Sequence, residues 1–166
     1  MKDLKVSVIQ WDLKWEDPQA NIYEIEKILS SKSIETDILV LPEMFSTGFS
    51  MNASKISEAP GGKTEDWMKS TSLKLNCAVA GSIATKIDDR ALNRFLFVTP
   101  SDTFHYDKRH LFRMANEHKN YKAGNNKFPS FLDNSQRRVA PPRPSIYESI
   151  PMKSSSLTKL DRAIQH

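Results

Sequence analysis

A chain of 166 residues with 39% hydrophobic and 27% charged content can form one domain with a buried core, and it has no apolar run long enough to cross a bilayer. The net charge is +4, but residues 128–166 hold six Lys or Arg against three Asp or Glu, so the first 127 residues carry only +1. This balance gives no electrostatic case for nucleic-acid binding by the main part of the chain.

The single cysteine, Cys77, excludes an internal disulfide framework and agrees with a reducing compartment. The first predicted strand begins at Lys5, which leaves no room for an apolar signal core before it. We therefore expect a cytoplasmic protein without a membrane partner.

The first three elements form a strand-helix-strand unit. Lys5–Gln10 is a predicted strand with Val6 and Val8 on one face. Apolar residues at three- and four-residue spacing, preceded by an N-cap acid and a proline, predict an amphipathic helix over Pro18–Ser31. The apolar run Ile38–Leu41 is the next strand. Such units build parallel sheets with right-handed crossovers.

The first candidate functional residue follows the second strand. Pro42 lacks an amide hydrogen and disfavours helix at the residue before it, so Leu41 is the predicted last strand residue. Glu43 then lies at the carboxyl end of the strand, where open α/β sheets bind ligands. The apolar neighbours Met44 and Phe45 predict partial desolvation, which favours a general base. The alternative is a solvated loop glutamate.

The rest of the main region is predicted to contain one more helix and three strands. A turn at Pro60-Gly61-Gly62 precedes a helix that begins at Thr64-Glu65-Asp66 and carries Trp67, Met68 and Leu75. Strands are predicted at Cys77–Ile83, Leu92–Thr99 and Thr103–Asp107. The last two should pair as a hairpin, and the final strand delivers Lys108.

Three local patterns suggest sites that we do not favour. Gly61-Gly62-Lys63-Thr64 resembles the end of a nucleotide-binding loop, but the first glycine of that motif would fall at Ser57. Lys108-Arg109-His110, with nearby Arg113, is either a phosphate-binding cluster or a solvated strand end. Cys77 opens an apolar strand, so we interpret it as a small buried hydrophobic residue and not as a nucleophile.

The composition changes at Lys127. Residues 1–127 alternate strands and helices, whereas residues 128–166 hold five of the nine prolines, no glycine and the tract Ser154-Ser155-Ser156. We predict a domain over 1–127 and a Pro/Ser-rich, mostly irregular tail over 128–166.

Motifs in the first 127 residues carry a family resemblance. Five segments occur in the family's order: VSVIQWDLKWEDPQANI, DILVLPEMFSTGFSM, WM followed by AVAGSIA, NRFLFVTP, and YDKRHLFRMANEHKNYKAG. They resemble the nitrilase superfamily of carbon-nitrogen hydrolases, and most of all its omega-amidase branch. The resemblance implies an α/β fold, an αββα sandwich that is usually dimerised and that would be incomplete in this chain.

The resemblance also implies a Glu-Lys-Cys catalytic set. By motif, the glutamate is Glu43 within LPEMF and the lysine is Lys108 within YDKRHLF. A second acid that helps to orient the site matches Glu117 within ANEHKNY. The implied substrate is a small-molecule amide, the terminal amide of a 2-oxo acid such as 2-oxoglutaramate or 2-oxosuccinamate, and no metal or organic cofactor is implied.

The nucleophile is the point of departure from the family. The family places its cysteine in a segment resembling ICYDLRFP, whereas this chain has FPSFLDNSQRRVAPPRPSIYES there, without a cysteine. The nearest hydroxyl, Ser145, lacks the strand, turn and helix that would aim it. The abrupt change suits a shifted reading frame or a truncated gene. Two hypotheses follow: an omega-amidase-type hydrolase, or a catalytically inactive remnant that binds a ligand or a full-length partner.

Overall fold

The computed structural model describes residues 3–31 and 33–125, which form a five-stranded sheet with its two longer helices against one face. The strands lie in chain order across the sheet. Their bounds are β1 Val6–Val8, β2 Ile38–Val40, β3 Ala78–Ile87, β4 Arg90–Val98 and β5 Thr103–Asp107. The helices are α1 Pro18–Ser31, α2 Ala53–Ile56, α3 Lys63–Leu75 and α4 Glu117–Asn120, with a 3-10 turn at Arg113–Ala115. The predicted tail over 128–166, including Ser145, lies outside the described residues.

The sheet is mixed, and its parallel part comes from the predicted strand-helix-strand unit. β1 pairs with β2 and β2 with β3 in parallel, whereas β3–β4 and β4–β5 are antiparallel. The helix between β1 and β2 begins as predicted, because the Asp17 carboxylate accepts a hydrogen bond from the Ala20 N–H at 3.0 Å. The α/β fold expected from the sequence is confirmed.

The predicted elements are present, but most of their bounds shift by one to four residues; β2, for example, ends at Val40 and not at the predicted Leu41. α1 and β5 have the predicted bounds. β3 extends to Ile87, four residues further than predicted, because Lys86 and Ile87 pair with the start of β4 across a tight turn. The polar residues at that end hid the strand from an argument based on apolar runs, and pairing with a neighbouring strand stabilises it. The short helix α2 was not predicted.

The core lies between the sheet and α1 and α3. Leu39, Val79 and Leu96 point from the sheet into a cluster with Ile25 and Met68 of the helices, and all five are buried. Residues on a strand alternate between faces, so Val6 and Val8 lie on the opposite face. They are 51% and 71% exposed. This apolar face is the one on which a sandwich of the expected kind would place its second sheet.

Within the described residues, no helix is both long and apolar enough to cross a membrane. The same part of the chain contains no group of three or more His, Cys, Asp or Glu side chains that could hold a metal ion.

Candidate active site

A tight turn after β2 positions Glu43. Met44 has a left-handed backbone with φ of 53°, and its N–H donates to the Ser82 hydroxyl at 2.9 Å. Met44 and Phe45 are fully buried, so the turn directs both apolar side chains inward. Glu43 faces outward with 52% of its side chain exposed. The predicted desolvation of Glu43 is therefore wrong, because its apolar neighbours enter the core instead of covering the carboxylate.

Lys108 follows the end of β5 and reaches the same edge of the sheet. Its backbone N–H donates to the Asn93 carbonyl at 2.9 Å, which continues the β4–β5 pairing by one residue. Its ammonium lies 2.9 Å from Oε1 of Glu43 and 3.2 Å from Oε2 of Glu117. The structure thus brings the three residues singled out by the sequence motifs into one cluster.

Glu117 is the buried member of the cluster. It is the first residue of α4, follows Asn116 in a left-handed conformation, and has no exposed surface. Its Oε2 accepts a hydrogen bond from the Phe112 N–H at 2.6 Å. The carboxylate is therefore satisfied by a backbone donor as well as by the Lys108 ammonium, as a buried charge requires.

The carboxylates keep the Lys108 side chain charged. Burial on its own lowers the pKa of Lys108, but the hydrogen bond and charge of Glu43 and the charge of Glu117 outweigh it, so the pKa is raised above 10.5. The ammonium also lies 5.0 Å from the ring centroid of Phe49, within the range of a cation-π contact. At neutral pH the site presents a fixed cation beside a half-exposed carboxylate.

Asn93 is a site residue that the sequence analysis missed. It lies on β4, is almost fully buried, and its Nδ2 donates to Oε1 of Glu43 at 2.7 Å and to Oε1 of Glu117 at 3.3 Å. The available signal was an amide in an otherwise mostly apolar predicted strand. Such a residue, once buried, needs a polar partner.

Three contacts anchor the loop that carries Glu43. Nδ2 of Asn21 donates to the Ser46 carbonyl at 2.8 Å, and the Tyr121 hydroxyl donates to the Ser50 carbonyl at 2.7 Å. The Glu16 carboxylate accepts the Ser50 hydroxyl at 2.6 Å. Helix α1 and the segment after α4 therefore fix the loop from separate sides, which limits the positions open to the Glu43 backbone.

Cys77 lies far from this cluster. It is fully buried, and burial raises the pKa of its thiol. It precedes β3, seven positions before Ala84, which pairs with Asn93. At about 3.4 Å per strand residue, this separation is roughly 24 Å. Cys77 is thus a buried core residue, in agreement with its interpretation from sequence.

In the other two patterns, the start of α3 is occupied and the basic cluster is partly exposed. The backbone N–H of Thr64 donates to the Glu58 carboxylate at 2.9 Å, and the Thr64 hydroxyl donates to the same group. The start of α3 is therefore occupied by a carboxylate of the chain itself. In the basic cluster, His110 and Arg113 are exposed, while the Lys108 ammonium contacts carboxylates.

Comparison with known proteins identifies the family. The carbon-nitrogen hydrolase family model matches residues 5–140. Omega-amidase YafV from Yersinia enterocolitica is 45% identical over 125 residues, which cover 75% of this chain and 48% of that protein. The 2-oxoglutaramate amidase of Bacillus subtilis is 30% identical over 123 residues, which cover 72% of this chain and 48% of that protein. The chain thus spans about half the length of the curated relatives it matches.

Solved structures agree with this family. XC1258 from Xanthomonas campestris, a CN-hydrolase superfamily protein with an arsenic adduct in its active site, superposes with a TM-score of 0.71 at 36% identity over 76% of this chain and 48% of its own. An N-terminal amidase superposes with a TM-score of 0.64 at 27% identity over 74% of this chain and 31% of its own. The resemblance to the nitrilase superfamily and to omega-amidases is confirmed, and the chain belongs to the carbon-nitrogen hydrolase family.

Proposed function

We propose that this chain carries the carboxylate and ammonium groups of an omega-amidase-type site that acts on the terminal amide of a small 2-oxo acid. One observation carries the proposal: the Lys108 ammonium lies within 3.2 Å of two carboxylates at the edge of the sheet. The names of the relatives, omega-amidase and 2-oxoglutaramate amidase, support this choice of substrate class.

The chemistry assigns a role to each group. In amide hydrolysis by a thiol, the sulfur attacks the carbonyl carbon while a base takes the thiol proton, and the carbonyl oxygen becomes negative. Glu43, half exposed and beside Lys108, is the proposed base. The Lys108 ammonium stabilises the developing oxyanion, and one such contact typically lowers the activation barrier by about 3 to 4 kcal/mol. Glu117 fixes Lys108 from the buried side.

The later steps use the same groups. Collapse of the tetrahedral intermediate breaks the carbon-nitrogen bond, and the proton held by Glu43 passes to the departing nitrogen, so ammonia leaves and a thioester remains. Glu43 then takes a proton from water as the water attacks the thioester carbon. The carbon-sulfur bond then breaks, and the proton on Glu43 returns to the sulfur, which regenerates the thiol. The net reaction converts amide and water to carboxylate and ammonium.

Cys77 is not placed to supply the attacking thiol. Cys77 is buried at the distant end of β3, and it is the only cysteine in the 166 residues. This observation favours a second candidate function, a chain that binds the amide or a partner protein without turning the amide over. The exposed apolar sheet face around Val6 and Val8 is consistent with a protein partner.

Ammonia release from 2-oxoglutaramate tests the two candidates. The full chain is compared with E43Q and with the matched control E24Q, which changes a part-exposed glutamate of α1 that forms an ion pair with Lys27 at 3.7 Å. Turnover that E43Q abolishes and E24Q retains supports the hydrolase. Absence of turnover in the unmodified chain refutes it.

Binding of 2-oxoglutaramate separates a chain that binds the amide from a chain that binds only a protein partner. Chemical-shift changes on titrating 2-oxoglutaramate into the labelled chain should saturate, and K108M should abolish them, if the site binds the amide. Absence of both turnover and saturable binding would leave only the protein-partner form of the second candidate, which co-sedimentation with a full-length omega-amidase then tests.

A further inference from the structure

The hydrogen bonds around Glu43 distinguish its two oxygens. Oε1 accepts the Lys108 ammonium at 2.9 Å and Nδ2 of Asn93 at 2.7 Å. Oε2 receives no hydrogen bond from the described residues, and the side chain is half exposed. A carboxylate oxygen with two donors in place is less available to take up a proton than one with none.

The geometry points to Asn93 as a positioning residue that holds Oε1 of Glu43 against the protein and leaves Oε2 as the oxygen that exchanges protons with the substrate site. This inference deepens the proposed function and rests on it for its catalytic meaning. The placement of the side chain by Asn93 can nevertheless be measured without turnover.

The surroundings of Asn93 determine which way its amide faces. Ionised carboxylates only accept hydrogen bonds, so the end of the amide between Glu43 and Glu117 must be the NH₂ group. The β4 backbone is fixed on both sides, since Asn93 pairs with Ala84 of β3 and its carbonyl accepts the Lys108 N–H. Asn93 therefore offers a donor whose position is set by the sheet and not by the mobile end of a long side chain.

A single NH₂ group also spans the two acids. It contacts Oε1 of Glu43 at 2.7 Å and Oε1 of Glu117 at 3.3 Å, while the Lys108 ammonium contacts both carboxylates from its own position. Glu117 is fixed by burial, so an Asn93 amide that is hydrogen-bonded to both acids also restrains the exposed Glu43. Lys108 alone, at the end of a flexible stem, would restrain Glu43 less well.

The test uses the labelled full chain and two substitutions of Asn93. N93L keeps a similar volume and removes the donors, and N93D keeps the shape but places a third carboxylate beside two others. The matched control is T85V on β3, which removes a buried hydroxyl that has no hydrogen-bond partner among the described residues. Three-bond side-chain couplings report the rotamer populations of Glu43.

The expected result is one dominant Glu43 rotamer in the unmodified chain and in T85V, with averaged couplings in N93L and stronger averaging in N93D. If Asn93 only fills space in β4, N93L leaves the Glu43 couplings unchanged, and that result overturns the inference. Averaged couplings in the unmodified chain overturn it as well.

Kinetics give a second readout if the chain releases ammonia. N93L should lower kcat by about tenfold to a hundredfold and change KM by less than about threefold, because a displaced base slows the chemical step more than it weakens binding. An equal loss in T85V, or a loss confined to KM, would contradict the positioning role. If no variant turns over, the proposed hydrolase function fails while the couplings still decide the role of Asn93.

Discussion

Removal of the Lys108 ammonium should destabilise the fold through Glu117 and not through Glu43. K108M leaves the Glu117 carboxylate fully buried with only neutral donors, the Phe112 N–H and the Asn93 amide. Loss of one partner of a buried pair typically costs about 3 to 5 kcal/mol. The half-exposed Glu43 adds at most about 1 kcal/mol. Since Glu117 keeps those two donors, we expect K108M to lower the free energy of unfolding by about 3 kcal/mol.

Urea unfolding followed by tryptophan fluorescence measures this loss, and the chain has three tryptophans. The double variant K108M/E117Q removes the unpaired charge and should recover about half of the loss. The control K5M breaks a pair in which both side chains are largely exposed, with the Lys5 ammonium 2.7 Å from Glu35, and should cost much less than K108M. A loss under about 1 kcal/mol for K108M, or no recovery in the double variant, would refute the reasoning.

The ion pairs of Lys108 also predict how the stability of the fold depends on pH. The pKa of Lys108 is raised above 10.5 in the folded chain, because Glu43 and Glu117 outweigh the opposing effect of burial. A raised pKa contributes stability that is fully present below the unfolded value and is lost as the pH rises through the folded value. The stability difference between the unmodified chain and K108M should therefore be constant from pH 7 to 9 and shrink above pH 10.5. A difference that shrinks well below that pH would contradict the assignment.

Three further substitutions or probes test other parts of the structure. N21A should cost about 2 to 4 kcal/mol by urea unfolding, because it leaves one buried and two part-buried backbone groups without their partner. N120A, whose amide is exposed, should stay within about 0.5 kcal/mol, and equal effects of the two substitutions would contradict the anchoring role of Asn21. G48A should cost about 1 to 2 kcal/mol, because φ is +72° and the new Cβ would lie 3.0 Å from the Trp15 ring; an unchanged midpoint would contradict it. The raised pKa and burial of Cys77 predict that a disulfide reagent at pH 8 reacts with its thiol only after urea is added, and rapid reaction in the folded chain would contradict that burial.

Local pattern was sufficient for the elements that depend on nearby residues. The helix Pro18–Ser31 follows from three- and four-residue apolar spacing and an N-cap acid, and the strand Thr103–Asp107 has the predicted bounds. The motifs around Glu43, Lys108 and Glu117 indicated the family that the comparisons confirm. Each of these signals is contained within a short segment of the chain, so a single sequence displays it.

Contacts between residues far apart in the chain determine the features of the site that local patterns do not predict. Asn93 meets Glu43 across 50 positions and Lys108 meets Glu43 across 65, and no local pattern indicates which oxygen each donor contacts. The outward direction of Glu43 depends on a left-handed Met44 and on Ser82 of a strand formed later in the chain. Sequence fixes backbone preference and apolar periodicity because both act over one or two turns. Side-chain direction and burial arise only when separate strands pair, since neighbours brought together by the sheet determine which groups lose water.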